Sequence, residues 1–225
     1  MTVHRHTAAK AGRAVPAQRA TAPGATAPGA APVVRDLRGR AGRTPRTLRF
    51  AAGDVVVVSG LPGSGKTTLL RQAAPGLGID SQDTRRAWEA RLPGVPYALY
   101  RPVARVAHFL RTHRALRAGR GLVVHDCGTH AWVRWSLARR AARGGRRLHL
   151  VLLDVPPEVA LAGQAARGRK VSAYAFARHS RAVPRLIAAV AAGRLPRGVA
   201  SAVLLDREAA GAVDRIAFGE PPGRG

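Results

Sequence analysis

The chemistry this chain can do is concentrated in eight consecutive residues. Gly60-Leu61-Pro62-Gly63-Ser64-Gly65-Lys66-Thr67 has the spacing G-x-x-x-x-G-K-[ST] and follows the apolar run Val55-Val56-Val57-Val58. A loop of this kind holds phosphate because its glycines let backbone N–H groups reach the oxygens with no Cβ in the way. Lys66 adds a point charge at the β and γ oxygens, and the Thr67 hydroxyl is placed to ligate Mg²⁺. The expected nucleotide-binding residues are therefore Gly60, Leu61, Pro62, Gly63, Ser64, Gly65, Lys66, Thr67 and Thr68. The pattern needs a strand before it and a helix after it. Thr68-Leu69-Leu70-Arg71-Gln72-Ala73-Ala74 supplies the helix, with Pro75 as its stop and its N-terminal end toward the phosphates.

The remaining elements must hold that loop in place. The four valines do not alternate with polar residues, which predicts a parallel strand covered on both faces. Further strands are expected at Ile79–Ser81, Gly121–Asp126, Leu148–Asp154 and Val199–Asp206, with a short lead-in at Leu48–Phe50. Helices are expected from Gln82, from Leu99 to Leu116, from Trp132 to Arg143, from Pro156-Pro157-Glu158 to about Arg167, and from about Ala173 to Ala192, with a weak one near the end. Alternation of this kind predicts an α/β chain. Its fold is a three-layer P-loop NTPase fold with a five-stranded, mainly parallel sheet and the nucleotide at the carboxyl ends of the strands.

Composition sets the surroundings. Residues 1–46 are rich in Ala, Pro, Gly and Arg, with Thr-Ala-Pro-Gly-Ala at 21–25 and again at 26–30, and predict a disordered basic tail. Residues 47–225 are left as one ATP-binding domain. The formal charge of +26 is not confined to the tail: residues 1–45 hold eight basic and one acidic residue, leaving 30 and 11 in the rest. A chain with three lysines and no asparagine carries an arginine-rich bias throughout, so charge alone does not establish a nucleic-acid partner. The clustered Arg139, Arg140, Arg143, Arg146 and Arg147 keep that partner open, against a solvated helix face. The single Cys127 excludes an internal disulfide framework, and no run approaches the roughly 18 apolar residues of a membrane span; a cytoplasmic protein is expected. His125-x-Cys127-x-x-His130 has ligand types but lacks the second pair that a closed zinc site requires.

Beyond the loop, the candidate residues are Asp83-x-x-Arg86 after the second strand, Asp126 at the end of the third, and Leu153-Asp154-Val155-Pro156-Pro157-Glu158 followed by Arg167-Gly168-Arg169-Lys170. With the loop, these resemble the P-loop kinases, and within them the small kinases of the AAA-type ATPase-domain group, which includes polynucleotide kinases and zeta-toxin-like enzymes. The resemblance spans residues 54–206. It implies that Asp83 accepts the proton of the attacking hydroxyl, that Arg86 holds an acceptor phosphate, and that Arg167 in an arginine-containing lid stabilises the transferring γ-phosphoryl. Asp126 is expected to hold Mg²⁺ through water, in the Walker-B manner. Gln164 stands where relatives often carry a further lid arginine. Asp83 is also a natural helix cap, and Trp88, Tyr97 and Tyr100 are placed either to stack an acceptor or to fill the core.

Three functional classes are compatible with these residues: a kinase acting from ATP on a hydroxyl of a small molecule or nucleic-acid end, an ATPase working through a protein partner, and an ATP-binding module without turnover. Guanine-reading switches are disfavoured because N-K-x-D cannot occur without asparagine. The compact size and the acid after the second strand favour the kinase.

Overall fold

The computed structural model describes residues 33–40, 42–126, 131–166 and 173–219. Its strands are β1 (Val33–Asp36), β2 (Thr47–Phe50), β3 (Val55–Gly60), β4 (Gly78–Ile79), β5 (Leu122–His125), β6 (Leu148–Leu153), β7 (Val199–Leu205) and β8 (Arg215–Phe218). Its helices are α1 (Lys66–Ala73), α2 (Ser81–Arg91), α3 (Tyr97–Arg117), α4 (Ala131–Arg143), α5 (Pro157–Ala165), α6 (Ala173–Ala191) and α7 (Arg207–Ala212). Six strands form an all-parallel sheet in the order β1-β7-β6-β3-β5-β4, and β2 pairs with β8 in a separate two-stranded sheet.

The absence of alternation in β3 has the meaning expected of it. Successive side chains of a strand point to opposite faces, and Val55, Val56, Val57 and Val58 are all fully buried, so both faces are covered. Each such valine contributes about 1.5–3 kcal/mol relative to exposure. Strand β6 repeats the pattern with Leu148, Leu150, Val151, Leu152 and Leu153. This dry centre holds the end of β3, and with it the phosphate loop, in a fixed position.

The sheet corrects the expected count of five strands. Its sixth strand, β1, lies inside the segment read as a tail. Val33-Val34-Arg35-Asp36 is short, largely exposed and surrounded by Pro, Gly and Arg, so composition hides it; parallel pairing with β7 recruits it. Arg38 ties it down, donating through Nη2 to Asp36 and through Nη1 to Asp154, both at 2.6 Å, and Leu37 is buried behind it. Residues 1–32 lie outside the described residues. The expected lead-in at Leu48–Phe50 is β2, but its partner is β8, a strand beyond the weak terminal helix. Strand β4 ends at Ile79, so Asp80 and Ser81, expected as strand, cap and open α2 instead. No helix among the described residues is long and apolar enough to cross a membrane.

Candidate active site

The phosphate loop joins β3 to α1 and is braced from above by α5. Gly63 has φ +90°, and a Cβ there would lie 2.0 Å from the Ala160 carbonyl oxygen; a Cβ on Gly163 would lie 2.7 Å from the Gly63 carbonyl. Loop and helix thus touch backbone to backbone, and only glycine fits at either point. Gln164 completes the brace: its Nε2 donates to the Pro62 carbonyl at 2.9 Å and the residue is buried. Gln164 is thus a strut for the loop.

Lys66 is buried, and its Nζ donates to the Gly60 and Leu61 carbonyls at 2.9 and 2.6 Å. The Ser64 hydroxyl is buried with no hydrogen-bond partner. A buried hydroxyl normally finds a partner, and in a loop of this shape a phosphate oxygen is the natural one. The loop and Lys66 therefore suit a polyphosphate. Beside them a cavity of about 320 Å³ is lined by Gly63, Ser64, Gly65, Thr68, Gln72 and Arg207, among others, and has the room and polarity for the rest of a nucleotide.

On the other side of the loop, the carboxyl ends of β4 and β5 carry three acid–base groups. Asp80 caps α2, accepting from the Gln82 backbone N–H at 2.9 Å. Its carboxylate also meets His125 Nδ1 at 2.6 Å and the Thr67 side chain. Burial alone would raise the Asp80 carboxyl, but the His125 hydrogen bond and charge, with the Gln82 and Thr67 bonds, hold it well below the usual carboxylate range. Asp126, immediately after β5, lies 3.5 Å from both Ser59 Oγ and Arg134 Nη1. Mg²⁺ in phosphate-loop sites takes one or two protein oxygens plus substrate phosphates, and Thr67 and Asp126 suit that role. Among the described residues no group of three His, Cys, Asp or Glu forms an all-protein metal cage.

The structure distributes the remaining candidates unevenly. Asp83 and Arg86 are together, Oδ1 to Nη1 3.6 Å, on the half-exposed side of the first turns of α2. Asp83 is not the cap of that helix, since Asp80 is. Arg167 lies outside the described residues, as do Arg169, Lys170, Cys127 and His130. Of the aromatic trio, Tyr97 lines a cavity and carries Arg85 over its ring at 4.4 Å. Tyr100 is buried against it at 5.3 Å, and Trp88 stays outside near Arg91. In the basic cluster, Arg146 and Arg147 have structural partners: Arg146 Nη2 donates to the Leu116 carbonyl, and the Arg147 backbone N–H to Asp54. Sequence reasoning passed over Asp80 as an active-site acid. The available signal was an Asp directly before the helix opening Ser81-Gln82-Asp83, a capping signature.

A second cavity, of about 370 Å³, lies between α2, α3, α4 and α6. It reaches the strand ends at His125 and Asp126, and the His125 Nε2 is buried without a hydrogen-bond partner. The loop lines the first cavity directly and connects to the second through Thr67, Asp80 and His125.

A family model described as AAA domain matches residues 55–191. No curated protein matches the chain. Among solved structures, a candidate kinase from Chloroflexus aurantiacus superimposes with a TM-score of 0.52 at 18% identity, covering 69% of this chain and 85% of its own. The PezAT toxin–antitoxin system of Streptococcus pneumoniae gives 0.52 at 13%, covering 75% and 72%. A gluconokinase from Sinorhizobium meliloti gives 0.44 at 18%, covering 72% and 93%. The family match and the two structures at 0.52 establish the phosphate-loop α/β fold.

Proposed function

Since the chain belongs to this AAA-domain family, we propose that it is a kinase that moves the γ-phosphoryl group of ATP to a hydroxyl of a second substrate. The observation that carries this reading is a pair of cavities, one lined by the phosphate loop and one that ends at Asp126 and at His125, which joins the loop through Asp80 and Thr67. A protein that only binds or hydrolyses ATP needs the first; a transfer enzyme needs both.

The chain's own groups divide the work. The loop amides, Lys66 and the Ser64 hydroxyl bind the phosphates, while the cavity beside Thr68, Gln72 and Arg207 takes the base and ribose. Thr67 and Asp126 would hold Mg²⁺, which when bound neutralises charge on the phosphate oxygens. The acceptor hydroxyl attacks the γ-phosphorus in line, the bond from that phosphorus to the bridging oxygen breaks, and ADP leaves. By the resemblance, Asp83 accepts the hydroxyl proton, Arg86 steadies the acceptor and Arg167 stabilises the transferring group; Asp83 and Arg86 lie half exposed on α2, beside the residues that line the cavity.

Asp83→Asn tests the assignment. The helix keeps its cap, which is Asp80, and an exposed ion pair contributes only about 0–1 kcal/mol, so stability should hold. Transfer from γ-labelled ATP should fall about 10²–10⁴-fold, with ATP affinity little changed. Full transfer in a folded Asp83→Asn protein removes Asp83 from the mechanism. ATP hydrolysis with no transfer to any acceptor moves the chain to the ATPase class.

A further inference from the structure

We propose that the outward face of α3 docks an acidic amphipathic helix of a partner protein. The inward face of α3 is already used: Tyr100, Ala104, Thr112 and Leu116 are buried, and Ala104, His108 and Thr112 line the 370 Å³ cavity. A helix packed in this way should turn polar residues outward. Instead α3 turns out Leu99, Val103, Val106 and Leu110, which are 47–72% exposed. Their spacing of four, three and four residues places them within about 60° of arc at roughly 100° per residue, opposite the buried side chains. Of the nine large apolar side chains exposed among the described residues, four are in this row. Apolar groups scattered singly on a surface are ordinary, whereas a contiguous row marks an interaction site. A cleft of about 700 Å³ runs along one side of the row; Val106 belongs to both, and Ala98, Pro102, Phe109 and Trp132 also line it.

Spacing and charge together select the occupant. The interval of four and three residues is that of a coiled-coil seam. A helix lying on a membrane presents a broader apolar face, and a stripe this narrow suits a second helix. Helix α3 carries five arginines and no acid. Arg114 and Arg117 continue the row at its carboxyl end, Arg111 flanks it, and none of the three pairs with an acid among the described residues. A second copy would set these guanidinium groups against their own kind. Residues 1–32 of the chain would add four basic residues and no acid. Nucleic acid would engage the arginines and leave the aliphatic row wet. A foreign helix with its own apolar stripe and Asp or Glu beside it satisfies both features, its carboxylates meeting the arginines as the apolar rows interlock.

The test uses the full chain and a fluorescein-labelled peptide as long as α3, 21 residues, with leucine at the seam positions and glutamate beside them. A twin with lysine for glutamate and a twin with serine for leucine are the controls. Anisotropy should show micromolar binding of the glutamate peptide, at least about tenfold tighter than either twin and weakened by high salt. Val103→Ser with Val106→Ser should lower that affinity at least about tenfold, as loss of buried apolar contact requires. Arg114→Glu with Arg117→Glu should reverse the preference between the glutamate and lysine peptides. All four side chains are exposed, so melting temperature and ATP affinity should stay those of the wild type; if the serine pair melts early, Val103→Ala with Val106→Ala carries the same test. Equal binding of the lysine twin, an affinity unchanged by the valine substitutions, or no binding of the glutamate peptide up to about 1 mM overturns the proposal. So does another occupant lost with the same valines: phosphatidylserine vesicles that sediment the wild type alone, a single-stranded oligonucleotide, or a second copy detected by sedimentation velocity.

Discussion

Two aspartate–histidine pairs stand at opposite ends of the sheet. At the amino ends of the strands, Asp54 Oδ2 meets His149 Nε2 at 2.8 Å, Asp54 Oδ1 accepts the Arg147 backbone N–H at 2.8 Å, and His149 Nδ1 meets Ser201 Oγ at 2.7 Å. The Phe50 ring packs on this imidazole at 4.8 Å. At the carboxyl ends, Asp80 and His125 are as deeply buried and as closely bonded, yet His125 keeps an Nε2 without a partner beside a cavity. Equal chemistry and equal burial thus serve different ends. In the first pair both imidazole nitrogens and both carboxylate oxygens are used within the fold, and the pair is a fastener. In the second, one imidazole nitrogen has no partner within the fold. Residue type and burial do not tell structure from function here; the accounting of hydrogen bonds does.

The sharpest way to break this contrast is Asp54→Ala. Removing one partner of a buried pair leaves the other uncompensated, so about 3–5 kcal/mol of stability should be lost while ATP affinity is unchanged. Urea denaturation and titration calorimetry read the two effects, and a fall in ATP affinity in the folded variant would make the amino-end pair functional. Lys66→Ala acts at the other end: ATP affinity should drop about 10–150-fold, as for a hydrogen bond to a charged group. A modest loss of stability should accompany it, since Lys66 also binds two carbonyls of its own loop. Unaltered calorimetric affinity would remove Lys66 from the phosphate site.

His125→Ala sharpens the contrast. Asp80 keeps its bonds from Gln82 and Thr67, so the cost should be about 1–2 kcal/mol, less than for His149→Ala, which removes the partner of both Asp54 Oδ2 and Ser201 Oγ. Equal destabilisation in the two variants would erase the distinction. The smallest effect is in pH. The Asp54 carboxyl would be raised by burial, but His149 and the Arg147 N–H hold it below its ordinary value. A depressed carboxyl contributes stability that is fully present above the unfolded value of about 3.9 and is lost as pH falls through the lower folded value. Acid titration of stability should therefore steepen below about pH 4, and Asp54→Asn should flatten it; an unchanged profile would mean that Asp54 is not ionised in the fold.

Much of the fold was legible because its signals are local. The unalternating valines, the glycine–lysine–threonine loop, Pro75 and Gly144-Gly145 each act within a few residues, and the five central strands and the major helices follow from them. Strands β1 and β8 were not legible. Four residues are too short a run to show a period, whether mostly exposed as in β1 or mostly half-buried as in β8, and what makes them strands is a partner far along the chain. The site divides in the same way. The loop was complete in sequence, whereas Asp80 acquires its meaning from His125, 45 positions away, and Gln164 from Pro62, 102 away. Asp83 and Arg86 were named from a motif and do lie together, on a face more open than the cavity that Arg85, between them, helps to line.

The pairing of first strands with last ones also bears on how the protein is made. Val33 is in register with Ser201 and Thr47 with Arg215, each partner 168 positions downstream. At about 5–20 residues per second of synthesis, β1 and β2 leave the ribosome roughly 10–30 s before their partners exist. During that interval β6 can already pair with β3 and enclose the phosphate loop, but its outer edge waits for β7, and β1 waits with it. A ribosome stalled before residue 199 would therefore present a chain with its nucleotide loop assembled and two strands unclaimed, an open edge of the kind that chaperones cover and other chains invade.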